Sequence, residues 1–202
     1  MAEYRLKLPV TEEEIRRLRV GDVIYLTGKL MTARDQAHRR ALELLRKGEK
    51  LPVDFKGGAV YHCGPVVRKL PDGTWQVIAA GPTTSTRMEA LEADFIAGTG
   101  VRIIIGKGGM GRKTAEAAKK YGAVYAVFTG GAAILAARAI KRVAEVHWLD
   151  LGIPEAIWVF EVEDFGPLVV TIDTTGRNLY EELMGEVEKR LKEQLAELGY
   201  EV

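Results

Sequence analysis

The chain has 202 residues, 47% of them hydrophobic and 28% charged, with a formal net charge of +1. That composition belongs to a soluble globular protein with one substantial core or two small ones, and the near-neutral charge gives no support to broad binding of nucleic acid or an anionic membrane. No apolar run approaches the roughly 20 residues of a membrane span, and the opening MAEYRLKLPVTEEEIRRL carries acids and lacks the apolar stretch of a signal peptide, which predicts a cytoplasmic protein.

Thr11 and Glu14 form a capping-box pattern that opens a short helix through Leu18. DVIYLTG (22–28) reads as a strand. Thr32 is a candidate N-cap for ARDQAHRRALELLRKG, whose Ala37, Ala41, Leu44 and Leu45 keep helical spacing and whose Gly48 suits a helix end. GAVYHCGPVV (58–67) and TWQVIAAG (74–81) read as strands joined by the turn PDG. GPTTSTR is a loop, followed by a helix from Met88 to Ala97. The pattern then alternates. VRIII leads to a helix from Arg112 to Tyr121, ended by Gly122, and AVYAVFTGG leads to a helix over AAILAARAIKRV. Further strands are predicted at 144–149, 156–162 and 168–173, and a charged amphipathic helix at 178–198. With no linker, repeat or low-complexity tract, the chain reads as a single α/β domain over residues 1–202 with a mixed sheet.

Cys63 is the only cysteine, so no internal disulfide forms, and alone it cannot hold zinc or an iron–sulfur cluster; any such metal comes mainly from another chain. One Asn and three Gln stand against abundant Lys, Arg and Glu, a balance that resembles a thermophile's.

The stretch VRIIIGKGGMGRKT contains a G-x-G-x-x-G pattern in Gly106, Gly108 and Gly111. A dinucleotide site needs an acid at the end of the following strand, and AVYAVFTGG has none. A P-loop fails as well, because Arg112 stands where the glycine before Lys113 and Thr114 belongs. Three loop-to-helix junctions each place a cation at a helix N-terminus: Arg34, Arg87 and Lys107. Cations are unfavourable there unless an anion is bound. If the junctions meet at one end of the sheet they form an anion pocket, in which the free N–H groups of the glycine loop would add donors; if not, they are unrelated surface charges.

The ordered set TARDQAHRR, YHCGP, AAGPTTSTRM, IIGKGGM, FTGGAAILAA and DLGIPEAIWVFEVEDFGPLVV, spanning about residues 20–180, resembles the C-terminal domain of class I fumarases. In two-component versions this is the β subunit, and it is similar to the β subunit of L-tartrate dehydratase. The resemblance implies a swivelling β/β/α domain with a mixed sheet and a C-terminal helix. It also implies a cysteine-bearing α partner that carries a [4Fe–4S] cluster, an α2β2 heterotetramer, and a dicarboxylate substrate, fumarate hydrated to (S)-malate. Arg34, Arg87 and Lys107 match the family's carboxylate-binding positions, and Thr83 matches the residue that takes the C3 proton. Lys107 would stabilise charge building on the carboxylate as that proton leaves. Thr83 and Thr84 alternatively serve as turn or capping residues, and Thr84 or Ser85 could do the work of Thr83. Gly106 and Gly108 support Lys107 by letting the backbone bend.

Asp35 and His38, three apart on one helix, either orient Arg34 or are a capping acid and a surface histidine. His62 and His147 read as packing residues and Lys113 as solvent-facing. Thr86 departs from the small residue the family has before the arginine, which bears on fine substrate preference. Tartrate or a methylated dicarboxylate is the alternative substrate, and a non-catalytic anion- or partner-binding module the alternative of another class.

Overall fold

The computed structural model describes residues 1–198 and 200. It opens with an unpredicted strand, β1 (Glu3–Lys7), a short edge strand whose Tyr4 and Leu6 alternate toward the core between exposed Glu3, Arg5 and Lys7. The capping box of α1 (Glu12–Arg17) forms as expected, with Glu14 N–H donating to Thr11 Oγ1 at 3.2 Å and Thr11 N–H to the Glu14 carboxylate at 2.8 Å. β2 (Val23–Thr32) runs beyond the predicted strand and takes in Thr32. Thr32 is therefore not a helix cap. Its buried hydroxyl accepts from Trp158 N at 3.0 Å and donates to the Ala156 carbonyl at 3.3 Å. Arg34 is the N-cap of α2 (Asp35–Arg46).

The predicted strand 58–67 divides at Gly64–Pro65 into β3 (Ala59–Tyr61) and β4 (Val66–Lys69), and β4 pairs with β5 (Trp75–Ala79) in a separate hairpin. A 3-10 turn, Ser85–Met88, runs into α3 (Glu89–Thr99). β6 (Ile103–Gly106), α4 (Arg112–Tyr121) and β7 (Val124–Val127) follow as expected, with Gly122 left-handed at the end of α4. α5 (Ala133–Ala139) ends short of the predicted helix. The chain turns to strand in β8 (Ile140–His147), where Ile140 pairs with Val162, and Arg142 and Lys141 meet Glu161 and Glu163 across the sheet. The two strands expected at 156–162 and 168–173 are one, β9 (Ile157–Ile172). α6 (Leu179–Glu197) starts at Asn178, whose side chain accepts from Tyr180 N. None of its side chains is buried, and Leu183, Met184, Val187 and Leu191 form an uncovered stripe. No described helix is long and apolar enough to cross a membrane.

β1, β2, β3, β6 and β7 are parallel neighbours in that order. β9 pairs antiparallel with both β7 and β2 and so closes a ring of β2, β3, β6, β7 and β9; β8 flanks it. The architecture is the mixed α/β sheet with a C-terminal helix that the resemblance implies. Strand alternation divides the core. Ala59, Tyr61, Ile103, Ile105, Val124 and Ala126 join one cluster with Phe160 and Phe165. Val60, Ile104 and Tyr125 join a second, beneath α2, α3 and α4. The helices on that face set the direction in which every strand-to-helix loop must leave the sheet.

Candidate active site at the carboxyl edge of the parallel strands

β2, β3 and β6 run parallel and finish at one edge, which in open α/β sheets is where loops gather a ligand. Arg34 follows β2, His62 follows β3 and Lys107 follows β6. The segment Thr83–Ser85 is laid onto this edge like a short extra strand. Thr83 N–H donates to the His62 carbonyl at 2.7 Å, Lys107 N–H to the Thr83 carbonyl at 3.3 Å, and Ser85 N–H to the Lys107 carbonyl at 3.1 Å. Thr84 bridges Lys107 in parallel register. Thr83 and Lys107, seen separately in sequence, are thus fixed to each other through backbone. Gly106 has its place because a Cβ there would sit 1.8 Å from Ser85 Oγ. Gly108 has a φ of +72°, a conformation side chains rarely adopt.

The three cations differ in their partners. Arg34 Nε lies 3.4 Å from Glu155. Gly64 gives the Arg34 guanidinium its berth, since a Cβ there would lie 2.5 Å from Nη1. Arg87 is held bidentately by Asp35, Nη2 to Oδ2 at 2.6 Å and Nε to Oδ1 at 3.3 Å. Asp35 therefore orients Arg87 rather than Arg34. Lys107 is exposed, and among the described residues no carboxylate pairs with it. Asp35–Arg87 and Thr84–Lys107 contacts bring all three cations to the same edge.

The helix ends themselves are not where sequence places the anion. Only Arg34 is a true N-cap; Arg87 sits in the turn before α3, and Lys107 ends β6, ahead of Gly111, the N-cap of α4. The N-terminus of α4 is filled by the protein's own Glu89, which accepts from Gly111 N at 2.7 Å, Thr114 N at 3.3 Å and Thr114 Oγ1 at 2.7 Å. Glu155 likewise accepts from Gln36 N in the first turn of α2 at 2.9 Å. Gly111 N and Thr114 N of α4 and Gln36 N of α2 are thus occupied by the protein's own carboxylates, which takes these amides out of the expected anion site.

Beneath the edge lies a group that sequence does not announce. His38 is no surface histidine: it, His62 and Glu92 are all wholly buried. Glu92 Oε2 stands 3.0 Å from His62 Nε2 and 3.5 Å from His38 Nε2. His38 Nδ1 lies 2.9 Å from the Arg34 carbonyl oxygen, and His62 Nδ1 lies 2.9 Å from Ser85 Oγ. Burial pushes both imidazoles toward neutrality, but the Glu92 contact overcomes it at His38 and raises that pKa, while His62 stays lowered. Burial opposes the charge of Glu92, yet the two histidines hold its carboxyl below the usual range. The signal available was Glu92 itself, an acid in line with Met88, Phe95 and Ile96 on the buried stripe of α3. Among the described residues these three alone have donor atoms spaced for a metal ion, within 4.8 Å of one another.

Cys63 is buried beside them in sequence, and burial pushes its thiol pKa up. His147 meets Glu145 at 3.1 Å, away from this edge on β8, and Lys113 faces solvent. A 410 Å³ cavity lined by residues including Leu8, Lys29, Asp54 and Glu145 touches none of the candidate residues. At the edge Thr84, Arg87 and Lys107 are exposed.

The family described as Fumarase C-terminus matches residues 2–183. An Escherichia coli protein named L(+)-tartrate dehydratase subunit beta is 50% identical over 177 residues, 88% of this chain and 86% of the relative. A Methanocaldococcus jannaschii protein, provisionally given the same name, is 44% identical over 185 residues, 91% of this chain and 94% of the relative. A Geobacillus stearothermophilus protein provisionally named fumarate hydratase class I is 44% identical over 192 residues, 95% of this chain but 35% of that longer protein.

Proposed function

The chain belongs to the Fumarase C-terminus family, and from that premise we propose that it is the β subunit of an iron–sulfur hydro-lyase that adds water to fumarate to give (S)-malate. In this reading it acts with a cysteine-bearing α partner, as α2β2, and supplies the grip on the dicarboxylate and the base for C3. The observation that supports it most is the edge itself. Arg34, Arg87 and Lys107 come to the edge on which Thr83 lies, Lys107 lacks a carboxylate partner among the described residues, and Arg87 and Lys107 are exposed there.

The roles follow from the geometry. Glu155 and Asp35 orient the two guanidiniums by their Nε edges, and Arg34 keeps both Nη groups and Arg87 keeps Nη1 for substrate oxygens. Lys107 brings a point charge to the carboxylate next to C3, where negative charge builds as the proton leaves. The Thr83 hydroxyl has no hydrogen-bond partner among the described residues, and its backbone is tied to that of Lys107, so an ammonium brought to it at this edge would lower the cost of its alkoxide form. Cys63 does not fit a cluster-binding role, because it is a single buried thiol whose pKa burial raises. The cluster therefore falls to the α partner in this reading, and no step here runs through it.

The names of the subunit-length relatives favour a second substrate, L-tartrate. Co-expression with the α partner, anaerobic cluster reconstitution and paired assays of fumarate hydration and L-tartrate dehydration test both. Fumarate turnover supports the first reading. Turnover of L-tartrate alone moves the assignment to the second, and turnover of neither by a fully loaded complex overturns the hydro-lyase reading.

A further inference from the structure

His38, His62, Glu92 and Ser85 come from four separate elements and are all wholly buried, within a shell that includes Phe95, whose ring centroid lies 4.3 Å from that of His38. Charge pairing and one hydrogen bond fix their protons. Glu92 is a wholly buried carboxylate with His38 and His62 as its ion-pair neighbours, at 3.5 and 3.0 Å and without aligned hydrogen bonds, so one of the two is an imidazolium; it is His38, whose Nδ1 must donate to the Arg34 carbonyl and whose Nε2 faces the carboxylate. His62 faces the same carboxylate at Nε2, but at Nδ1 it faces a hydroxyl, which can donate. A neutral His62 with its proton on Nε2 accepts at Nδ1 from Ser85 Oγ–H and turns its N–H toward the carboxylate, 3.0 Å away. The cluster then holds one positive and one negative charge and is neutral overall. A divalent ion between two neutral imidazoles and one carboxylate would leave a net positive charge in the core, at a high desolvation cost.

Each end of this cluster touches a segment that carries a substrate-facing residue. The Arg34 carbonyl is the backbone of the residue whose guanidinium lies at the edge. Ser85 anchors the Thr83–Arg87 loop, and the His62 carbonyl receives Thr83 N–H. We propose that His38, Glu92 and His62 are positioning residues, a buried clasp that sets Arg34 on one side and Thr83 with Arg87 on the other at a fixed separation for the dicarboxylate. This inference rests on the hydro-lyase reading above. Asp35 at the start of α2 and Tyr125 on β7 also face the cluster, and both stay in place in the test below.

Two measurements test it. Side-chain nitrogen NMR of the isotope-labelled full chain at neutral pH reads the protons directly: His38 doubly protonated, His62 singly protonated on Nε2, and His38 neutral in Glu92→Gln. In the reconstituted two-subunit enzyme, Glu92→Gln lowers kcat/KM by about 10- to 100-fold and Ser85→Ala by about tenfold, the range for misplaced binding groups. Both variants change kcat and KM together, whereas Ile15→Val, a core trim under α1, leaves both unchanged. If Glu92→Gln does not fold, Ser85→Ala carries the kinetic arm, since it removes a hydroxyl and no charge. A neutral His38 in the wild type overturns the clasp. So does stoichiometric zinc uptake that His38→Gln abolishes, or wild-type kcat/KM in both folded variants of an active enzyme. An inactive wild-type complex instead strikes the hydro-lyase reading, while the NMR arm still decides the clasp.

Discussion

Lys107→Ala is the cleanest probe of the edge, because Lys107 has the least to do with holding the fold together. Its side chain is exposed and unpaired among the described residues, and its backbone contacts with Thr83, Ser85 and Thr84 survive truncation at Cβ. Stability should therefore change by no more than about 0.5 kcal/mol, the usual range for a surface substitution. What disappears is one charged donor aimed at a carboxylate whose charge grows in the transition state. Losing such a donor costs about 10²–10³ in kcat/KM, or roughly 3–4 kcal/mol. Arg87→Ala is less clean, since it also frees the Asp35 carboxylate. Lys107→Arg should rescue only in part, because the guanidinium is a wide planar fork where the ammonium is a point charge. Lys113→Ala, on the exposed side of α4, should leave activity unchanged. The assay is steady-state fumarate hydration by the reconstituted complex, with iron content and urea unfolding measured on the same samples. Near-wild-type kcat/KM in a fully loaded Lys107→Ala enzyme would refute the assignment and leave the glycine loop purely structural.

Gly106→Ala should lower thermal stability, because its Cβ would stand 1.8 Å from Ser85 Oγ and overpacking costs about 1–3 kcal/mol; an unchanged melting temperature would mean the loop yields freely. Glu89→Ala strips the N-terminal amides of α4 of their acceptor and should cost about 1–2 kcal/mol in urea unfolding, and a neutral effect would show that water replaces it. The pH profile of stability should peak near 6.5, the ordinary histidine value. Above it the unfolded chain releases a proton that native His38, with its raised pKa, keeps; below it the unfolded chain binds a proton that native His62, with its lowered pKa, refuses. Both lose stability. Below about 4.5 the lowered Glu92 adds a further loss as the unfolded carboxylate protonates first; Glu92→Gln should flatten the limb above 6.5 and remove this last loss, but steepen the fall just below 6.5, because burial then lowers both histidines unopposed. The purified chain alone should carry no iron or sulfide, given its one buried thiol, and stoichiometric iron and sulfide on it would contradict the division between subunits.

The short continuous apolar runs that become β3, β6 and β7 were legible because they are buried on both faces, and α3 and α4 because helical spacing ends in Gly100 and Gly122. β8 and β9 were legible in part, as strands at 144–149, 156–162 and 168–173. The start of β8 was hidden because AAILAARAIKRV is helical by propensity, and the backbone ladder with β9 from Ile140–Val162 onward turns its end into a strand. Gly166 and Pro167 look like a break between two strands, but Gly166 lies where a Cβ would meet the Ile24 carbonyl at 2.8 Å, so the glycine permits close packing within one continuous strand. At the edge, Arg34, Arg87, Lys107 and Thr83 were picked out by charge and resemblance. The carboxylates that hold them, Asp35 and Glu155, act across loops, and the buried partners His62 and Glu92 are 30 positions apart. Such contacts have no local signature.

The ring closed by β9 also has a consequence in time. β2 occupies residues 23–32, yet its antiparallel partner spans 157–172, and that partner is β7's as well. During synthesis, a chain shorter than about 157 residues holds β2 and β7 with unpaired edges. Contacts this distant in sequence make for slow closure. Arg34 hangs from β2, so its setting waits on that closure, whereas the Thr83–Lys107 stitch needs only residues 59–107. The candidate edge is therefore assembled in two stages, and a nascent chain stalled between them has its proposed base tied to Lys107 through backbone but no finished ring beneath Arg34.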